Sequence, residues 1–182
     1  MNPEERVSEA SAIANPFAGV DVEGILRERG WLAGELSPEQ SAWCERAASF
    51  LGPHTGDAAA LADLLGLIFQ YDAQGLLARV ENHLVLSRVG AREALRRLAL
   101  FLLDGDPLTS ARFSEIIAQM KARLDIRGRD LFHTVRLALA GRAGGGELDR
   151  VILLVDGAAA LGFDVPVKTS RTRILEFCAA LD

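Results

Sequence analysis

Apolar residues recur at spacings of three and four along most of this chain, the mark of helices that bury one face. Residues 1–20 lack that periodicity and read as a flexible tail. A short helix is predicted over Val22–Arg29, stopped by Gly30. Ser37-Pro38-Glu39-Gln40 is a strong helix start: a serine cap, a proline at the first helical position and a glutamine that completes a capping box. That helix should run to about Leu51 and stop at Gly52-Pro53. Asp57 opens the next, with Leu61, Leu64, Leu65 and Ile68 on one stripe. One helix is predicted from Asp72 to Gly90, its buried side made of Leu76, Leu77, Val80, His83, Leu84 and Leu86. In AREALRRLALFLL (91–103), Leu95, Leu98, Phe101 and Leu102 turn inward and Arg92, Arg96 and Arg97 outward. Asp104-Gly105-Asp106-Pro107 is a break. Thr109 then caps a long helix to about Leu124, striped by Phe113, Ile116, Ile117, Met120 and Leu124. Helices over 130–140, 147–155 and 170–181 complete the set.

Helices of this length are marginal alone and must pack on one another. Alternating apolar runs bounded by hairpin turns are absent, and no internal repeat is visible. The expected class is all-α: eight or nine short helices in two packed helical subdomains, residues 21–106 and 107–182.

Composition adds the compartment. Hydrophobic residues at 49% and charged residues at 25% are the balance of a globular protein, which excludes disorder of the whole chain. Cys44 and Cys178 lie far apart with no CxxC spacing, and the three histidines are scattered. No metal and no cofactor is therefore expected, and the thiols read as reduced. The start of the chain, MNPEERVSEASAIANPF, has neither the basic nor the apolar region of a signal peptide. No run approaches the roughly 18 apolar residues of a membrane span, so a cytoplasmic protein without a membrane partner is expected.

Charge is unevenly placed. The net charge of −5 argues against a generic nucleic-acid binder. Yet the window 88–142 holds 11 basic and 6 acidic residues, an asymmetry that can mark a face used for a polyanion. Of the 20 basic residues, 18 are arginine in a chain rich in alanine, glycine and leucine. That bias makes the placement of the arginines informative and their choice over lysine less so.

Catalytic constellations are missing: there is no GxGxxG, P-loop, HExxH or GxSxG. His54 in LGPHTGDA reads as a loop residue helping to cap the next helix, and His83 as a core or boundary histidine. Cys44 and Cys178 each follow an aromatic residue and read as packing. Asp104 and Asp106 flank a glycine, but Pro107 and the lack of further carboxylates make a turn rather than a cation loop. No catalytic residue is assigned.

One segment carries a resemblance. LDIRGRDLFHTVRLALAGRAGGGEL (124–148) resembles the segment L-G-x-K-x-K-x-L-F-x-P-[LIV]-R-x-A-[LIV]-T-G-R in the C-terminal anticodon-binding domain of glutamyl-tRNA synthetases. Arg127 and Arg129 fall on its two basic positions, Leu131-Phe132 on its apolar pair, Val135-Arg136 on its aliphatic–Arg pair, and Gly141-Arg142 on its end. LRERGWL (26–32) and AALADLLGLIF (59–69) look like earlier helices of the same region, and the likeness extends from about Val22 to Gly162. The family proline is Thr134 here, the threonine before the glycine is Ala140, and the loop that follows is Gly144-Gly145-Gly146. A catalytic half is absent, with no HIGH-like or KMSKS-like motif.

The resemblance implies a helical bundle that binds tRNA or another structured RNA and makes no bond. With the basic face over 123–142, it points to RNA contacts at Arg123, Arg127, Arg129, His133, Arg136 and Arg142, of which Arg127, Arg129, Arg136 and Arg142 fall on motif positions. In a helix over 130–140 and the residue before it, Arg129, His133, Arg136 and Ala140 share one face, with Leu131, Val135, Ala138 and Leu139 opposite. Guanidinium groups pair with phosphate and stack on splayed bases. The other reading of the same arginines is a solvated face with Asp125 and Asp130 as local partners. Two further readings stay open: a protein-interaction module on this scaffold without RNA binding, and the accessory half of a split synthetase that works with a catalytic subunit.

Overall fold

A computed structural model describes residues 14–182, and among them the chain is all-α. Ten α-helices follow one another: α1 (Gly19–Glu28), α2 (Pro38–Leu51), α3 (Ala58–Phe69), α4 (Ala73–Ala78), α5 (Val80–Leu86), α6 (Ala91–Leu102), α7 (Ser110–Arg123), α8 (Gly128–Ala140), α9 (Glu147–Ala160) and α10 (Ser170–Leu181). Most of the tail expected over 1–20 lies outside the described residues. From residue 14 onward the chain is engaged: the Asn15 amide donates to the Ala48 carbonyl at 2.9 Å.

Short-range chemistry sets the helix starts. Ser37 Oγ accepts from the Gln40 N–H at 3.1 Å while Gln40 Oε1 accepts from the Ser37 N–H at 3.0 Å, the reciprocal box that frees neither donor. Asp57 caps α3, Thr109 caps α7 and Thr169 caps α10 in the simpler one-way form. His54 takes no part in capping, because Asp57 already fills that role; it stands exposed in a 3₁₀ turn over Gly52–His54.

The tenth helix comes from a break at Arg79, where ψ of 124° interrupts the predicted 72–90 helix. Asn82 and His83 turn back to hold the carbonyls of Leu76 and Leu77, at 2.8 and 2.7 Å, so the end of α4 is capped from α5. The break rotates α5. Asn82, Val85 and Leu86 face the core, while Val80, His83 and Leu84, expected on the buried side, are exposed. α9 also runs past its expected end at Val155 to Ala160. Gly157 is tolerated there because the Trp43 indole lies against it: a Cβ would sit 3.3 Å from Trp43 Cδ1.

One core runs through all ten helices. α2 and α3 pack on α9, and α6 packs on α8 and α10, so buried residues on either side of residue 106 belong to the same interior. Trp31, Trp43, Phe69 and Phe163 form an aromatic knot within it, with Trp31 stacked on Phe69 at 4.8 Å and Phe163 edge-on to both Trp43 and Phe69. Asp156 of α9 clamps two loops by accepting the backbone N–H groups of Leu108 and Ser170, each at 2.7 Å.

Candidate nucleic-acid interface

The segment of interest is the turn from α7 into α8. α7 ends at Arg123, and α8 begins at Gly128, two residues earlier than its pattern predicts. Arg127 is therefore the N-cap, with φ −64° and ψ 140°, and it has no side chain able to bond the first turn. Gly90, at φ +85°, allows the approach of this turn. A Cβ there would lie 3.3 Å from both the Asp125 carbonyl oxygen and Ile126 Cβ, so only glycine fits without a shift.

Lys121, Arg123, Arg127 and Arg129 gather around this helix start, all exposed. Lys121 Nζ rides 4.7 Å above the Phe132 ring and comes within 3.9 Å of the place a Gly128 Cβ would take. None of the four forms an ion pair or side-chain hydrogen bond among the described residues. The carboxylates that could satisfy them locally are elsewhere or unpaired. Asp130 is held by Arg88 of the segment after α5 at 2.8 Å, and Asp125 is exposed with no ion-pair partner among the described residues. The α8 N-terminus adds its own partial positive charge and first-turn N–H groups.

The remaining members of the expected set are placed differently. His133 is half-buried. Arg88 Nη1 lies 3.0 Å from its Nδ1, and since a guanidinium only donates, Nδ1 is the acceptor and the ring is the neutral Nε2–H form. Burial, then the charges of Arg88, Arg129 and Arg136, hold its pKa below the ordinary 6.5. The folded state thus resists a proton that the unfolded chain accepts. Stability from this group is full above about pH 6.5 and is lost as pH falls through the lowered folded value. His133→Gln should flatten the acid side of the stability profile, read as urea midpoints at pH 5.5 and 7.5; an unchanged slope would remove His133 as its source.

Arg136 is only 12% exposed and is fully engaged: Nε and Nη2 bind both oxygens of Asp149 on α9 at 2.8 and 2.9 Å, and Nη1 donates to the Gly144 carbonyl at 2.8 Å. Its guanidinium also lies 4.8 Å from the Phe132 ring centre. It ties α8 to α9 and to the glycine loop. The face Arg129–His133–Arg136–Ala140 is consequently graded: exposed at Arg129, half-buried in the middle, and closed at Ala140, which has 0% exposure. Leu131, Val135, Ala138 and Leu139 form the buried opposite side as their spacing requires. Thr134 is buried and donates its hydroxyl to the Asp130 carbonyl at 2.8 Å.

Arg142 lies at the far end of α8, about 20 Å from Arg127 at 1.5 Å per residue. It pairs with Asp63 at 2.9 Å on the rim of a groove of about 640 Å³ that Arg29 and Arg79 also line. The C-terminal ends of α1, α3, α4 and α8 line this groove, so these arginines stand where the helix-end partial charge is negative. The structure thus joins Arg123, Arg127 and Arg129 in one cluster, adds Lys121 and Arg88 to it, and sets Arg142 apart. Both fall in the basic window 88–142, and neither is singled out by the sequence; a lysine in the last turn of α7 could have pointed to Lys121, whereas the 42 residues between Arg88 and Asp130 hide their pairing.

Beside Lys121, a groove of about 590 Å³ runs between α7 and α9, floored by Phe113, Ile117, Phe132 and Leu153 and edged by Arg150 and His54. The described residues contain no group of three potential metal ligands and no helix long and apolar enough to cross a membrane.

An all-α bundle with one open cationic end has the build of a binding module. Among known families, residues 14–159 match the anticodon binding domain, and the chain belongs to that family. No curated protein and no solved structure matches the chain.

Proposed function

We propose that the chain is a non-catalytic tRNA-binding protein related to glutamyl-tRNA synthetase, acting in the cytoplasm. It holds the phosphate backbone of tRNA, or of a similarly structured RNA, with Arg123, Arg127 and Arg129 together with Lys121. Membership in a family that binds anticodons supports the ligand class. The observation that carries the site is that these four cations are exposed and, among the described residues, hold no carboxylate, while Asp130 beside them is held by Arg88. His133 and Arg136 act behind them, fixing the helix that presents Arg129. Arg142 offers a separate contact some 20 Å away, within the width of a nucleic-acid stem.

Recognition is by backbone more than by base. Both tryptophans are buried, at 4% and 5% exposure, and Tyr71 is tied to the Ala138 carbonyl, so the large stacking rings are committed to the core. Titration of labelled tRNA across salt concentrations tests the reading. Binding should weaken steeply with salt and compare poorly between tRNA and duplex DNA of equal length. Affinity that is absent at low salt, or equal for both polymers, would overturn it.

A further inference from the structure

The groove beside Lys121 has two banks. Lys121 of α7 stands on one, and Arg150 of α9 stands on the other. Behind Arg150, α2 packs on α9 and brings Arg46 to the same place. Both arginines are exposed, and both guanidinium groups lie over the half-buried Phe50 ring, at 4.9 Å for Arg46 and 5.4 Å for Arg150. One ring thus holds two like charges within about one Debye length of each other, roughly 10 Å at 0.1 M salt. A carboxylate would relieve that repulsion, yet neither arginine forms an ion pair among the described residues. The acids within four residues of them along the chain are Glu45, Glu147 and Asp149, and each is turned elsewhere. Arg136 binds both oxygens of Asp149. Glu147 folds over its own loop, where a Gly145 Cβ would meet its Oε2 at 2.5 Å. Glu45 lies against α1, where a Gly19 Cβ would meet its Oε1 at 2.5 Å.

We propose that Arg46 and Arg150 are a second phosphate-binding arm of the RNA site, facing Lys121 across the α7–α9 groove. The arm rests on the RNA reading above and lies outside the 123–142 segment. A cation–π contact consumes no N–H donor, so each guanidinium is held in place by Phe50 and keeps its fork for phosphate. Between the arms the floor is apolar: Phe113, Ile117, Phe132 and Leu153 line a volume of about 590 Å³. A strand crossing it lays sugar and base on that floor and sets its phosphates on the cationic banks, the arrangement of a groove that tracks single-stranded RNA. Lys121 joins this groove to Arg123, Arg127 and Arg129, so one polyanion spans both arms, and a separate acidic protein is not needed to satisfy either.

Salt titration of labelled tRNA with full-length variants tests the arm. Arg46→Ala with Arg150→Ala should weaken binding roughly tenfold at low salt and lower the salt slope by about two. Arg46→Lys with Arg150→Lys keeps both charges and should hold the slope. Arg96→Ala with Arg97→Ala takes the same charge from α6 and should leave the slope unchanged. All four positions are exposed, and urea midpoints close to that of the wild type verify folding. A wild-type slope in the Arg46–Arg150 alanine variant, with a lowered slope in Arg127→Ala/Arg129→Ala, overturns the second arm and leaves the RNA reading standing. A wild-type chain that binds no tRNA overturns both. An equal fall in the α6 variant reduces the effect to net charge and overturns the arm. Polyglutamate that displaces tRNA as well as unlabelled tRNA does would assign the strip to an acidic protein and overturn it too.

Discussion

Replacing Arg173 by methionine should lower the stability of the chain by about 4 kcal/mol, enough to bring it near the edge of folding. Arg173 has 0% exposure, yet it bonds no carboxylate. Its five N–H groups meet four backbone carbonyls instead: Lys168 at 3.0 Å, Leu67 at 3.0 Å, Leu139 at 2.9 Å and Ile68 at 2.6 Å. Leu67 and Ile68 end α3, and Leu139 ends α8. Two helix C-termini, each carrying partial negative charge, thus take the place of a counter-ion, and the Tyr71 ring lies 4.6 Å from the guanidinium. Burial lowers the Arg173 pKa to about 10, which still leaves it charged at neutral pH. Methionine would fill much of the volume and strip the donors, and each orphaned buried carbonyl costs about 1–3 kcal/mol, less than additively. Urea unfolding followed by circular dichroism should show a much lower midpoint at unchanged slope. A loss below about 1 kcal/mol would mean that water replaces the side chain at these carbonyls.

The second large effect concerns binding. Arg127→Ala with Arg129→Ala should weaken tRNA binding by roughly a hundredfold at low salt and reduce the salt slope by about two, one per lost phosphate contact. Both side chains are exposed and have no partner among the described residues, so folding stability should stay within about 0.5 kcal/mol. Arg136→Ala gives the contrasting pattern. With its donors engaged by Asp149 and Gly144, its loss should destabilise the chain and leave the slope intact. A slope lowered by one on removing Arg136 would place that residue on phosphate, as its motif position implies. An unchanged slope in the double variant would send the search for the RNA site to the Arg142 groove.

The parts of the fold that depend on neighbours in sequence were legible. The caps at Ser37, Asp57 and Thr109 each close a bond three residues away, and the stripes of α3, α6 and α7 bury the residues their spacing selects, except Phe101 and Leu124, which are half-buried. The break at Arg79 was not, because neither glycine nor proline marks it; it depends on Asn82 and His83 choosing carbonyls six residues back. For the site, the sequence located the cationic segment and could not tell open arginines from committed ones. Arg136 and Asp149 are 13 residues apart, Arg142 and Asp63 are 79, and packing alone decides those pairings. Arg173 carried no signal either: it lies on α10, beyond the matched family segment, and its partners are carbonyls that any sequence would supply.

The aromatic knot has a practical consequence. Trp31 and Trp43 are the two tryptophans of the chain, and both sit against Phe69 or Phe163, with the Trp43 indole N–H donating to the Leu154 carbonyl at 3.1 Å. Their emission reports the contact of α2 and α3 with α9 and is blind to the α7–α8 turn. Fluorescence should therefore hold its blue, shielded spectrum through a tRNA titration and shift red only as the bundle opens, giving a built-in optical gauge of folding that ligand does not disturb.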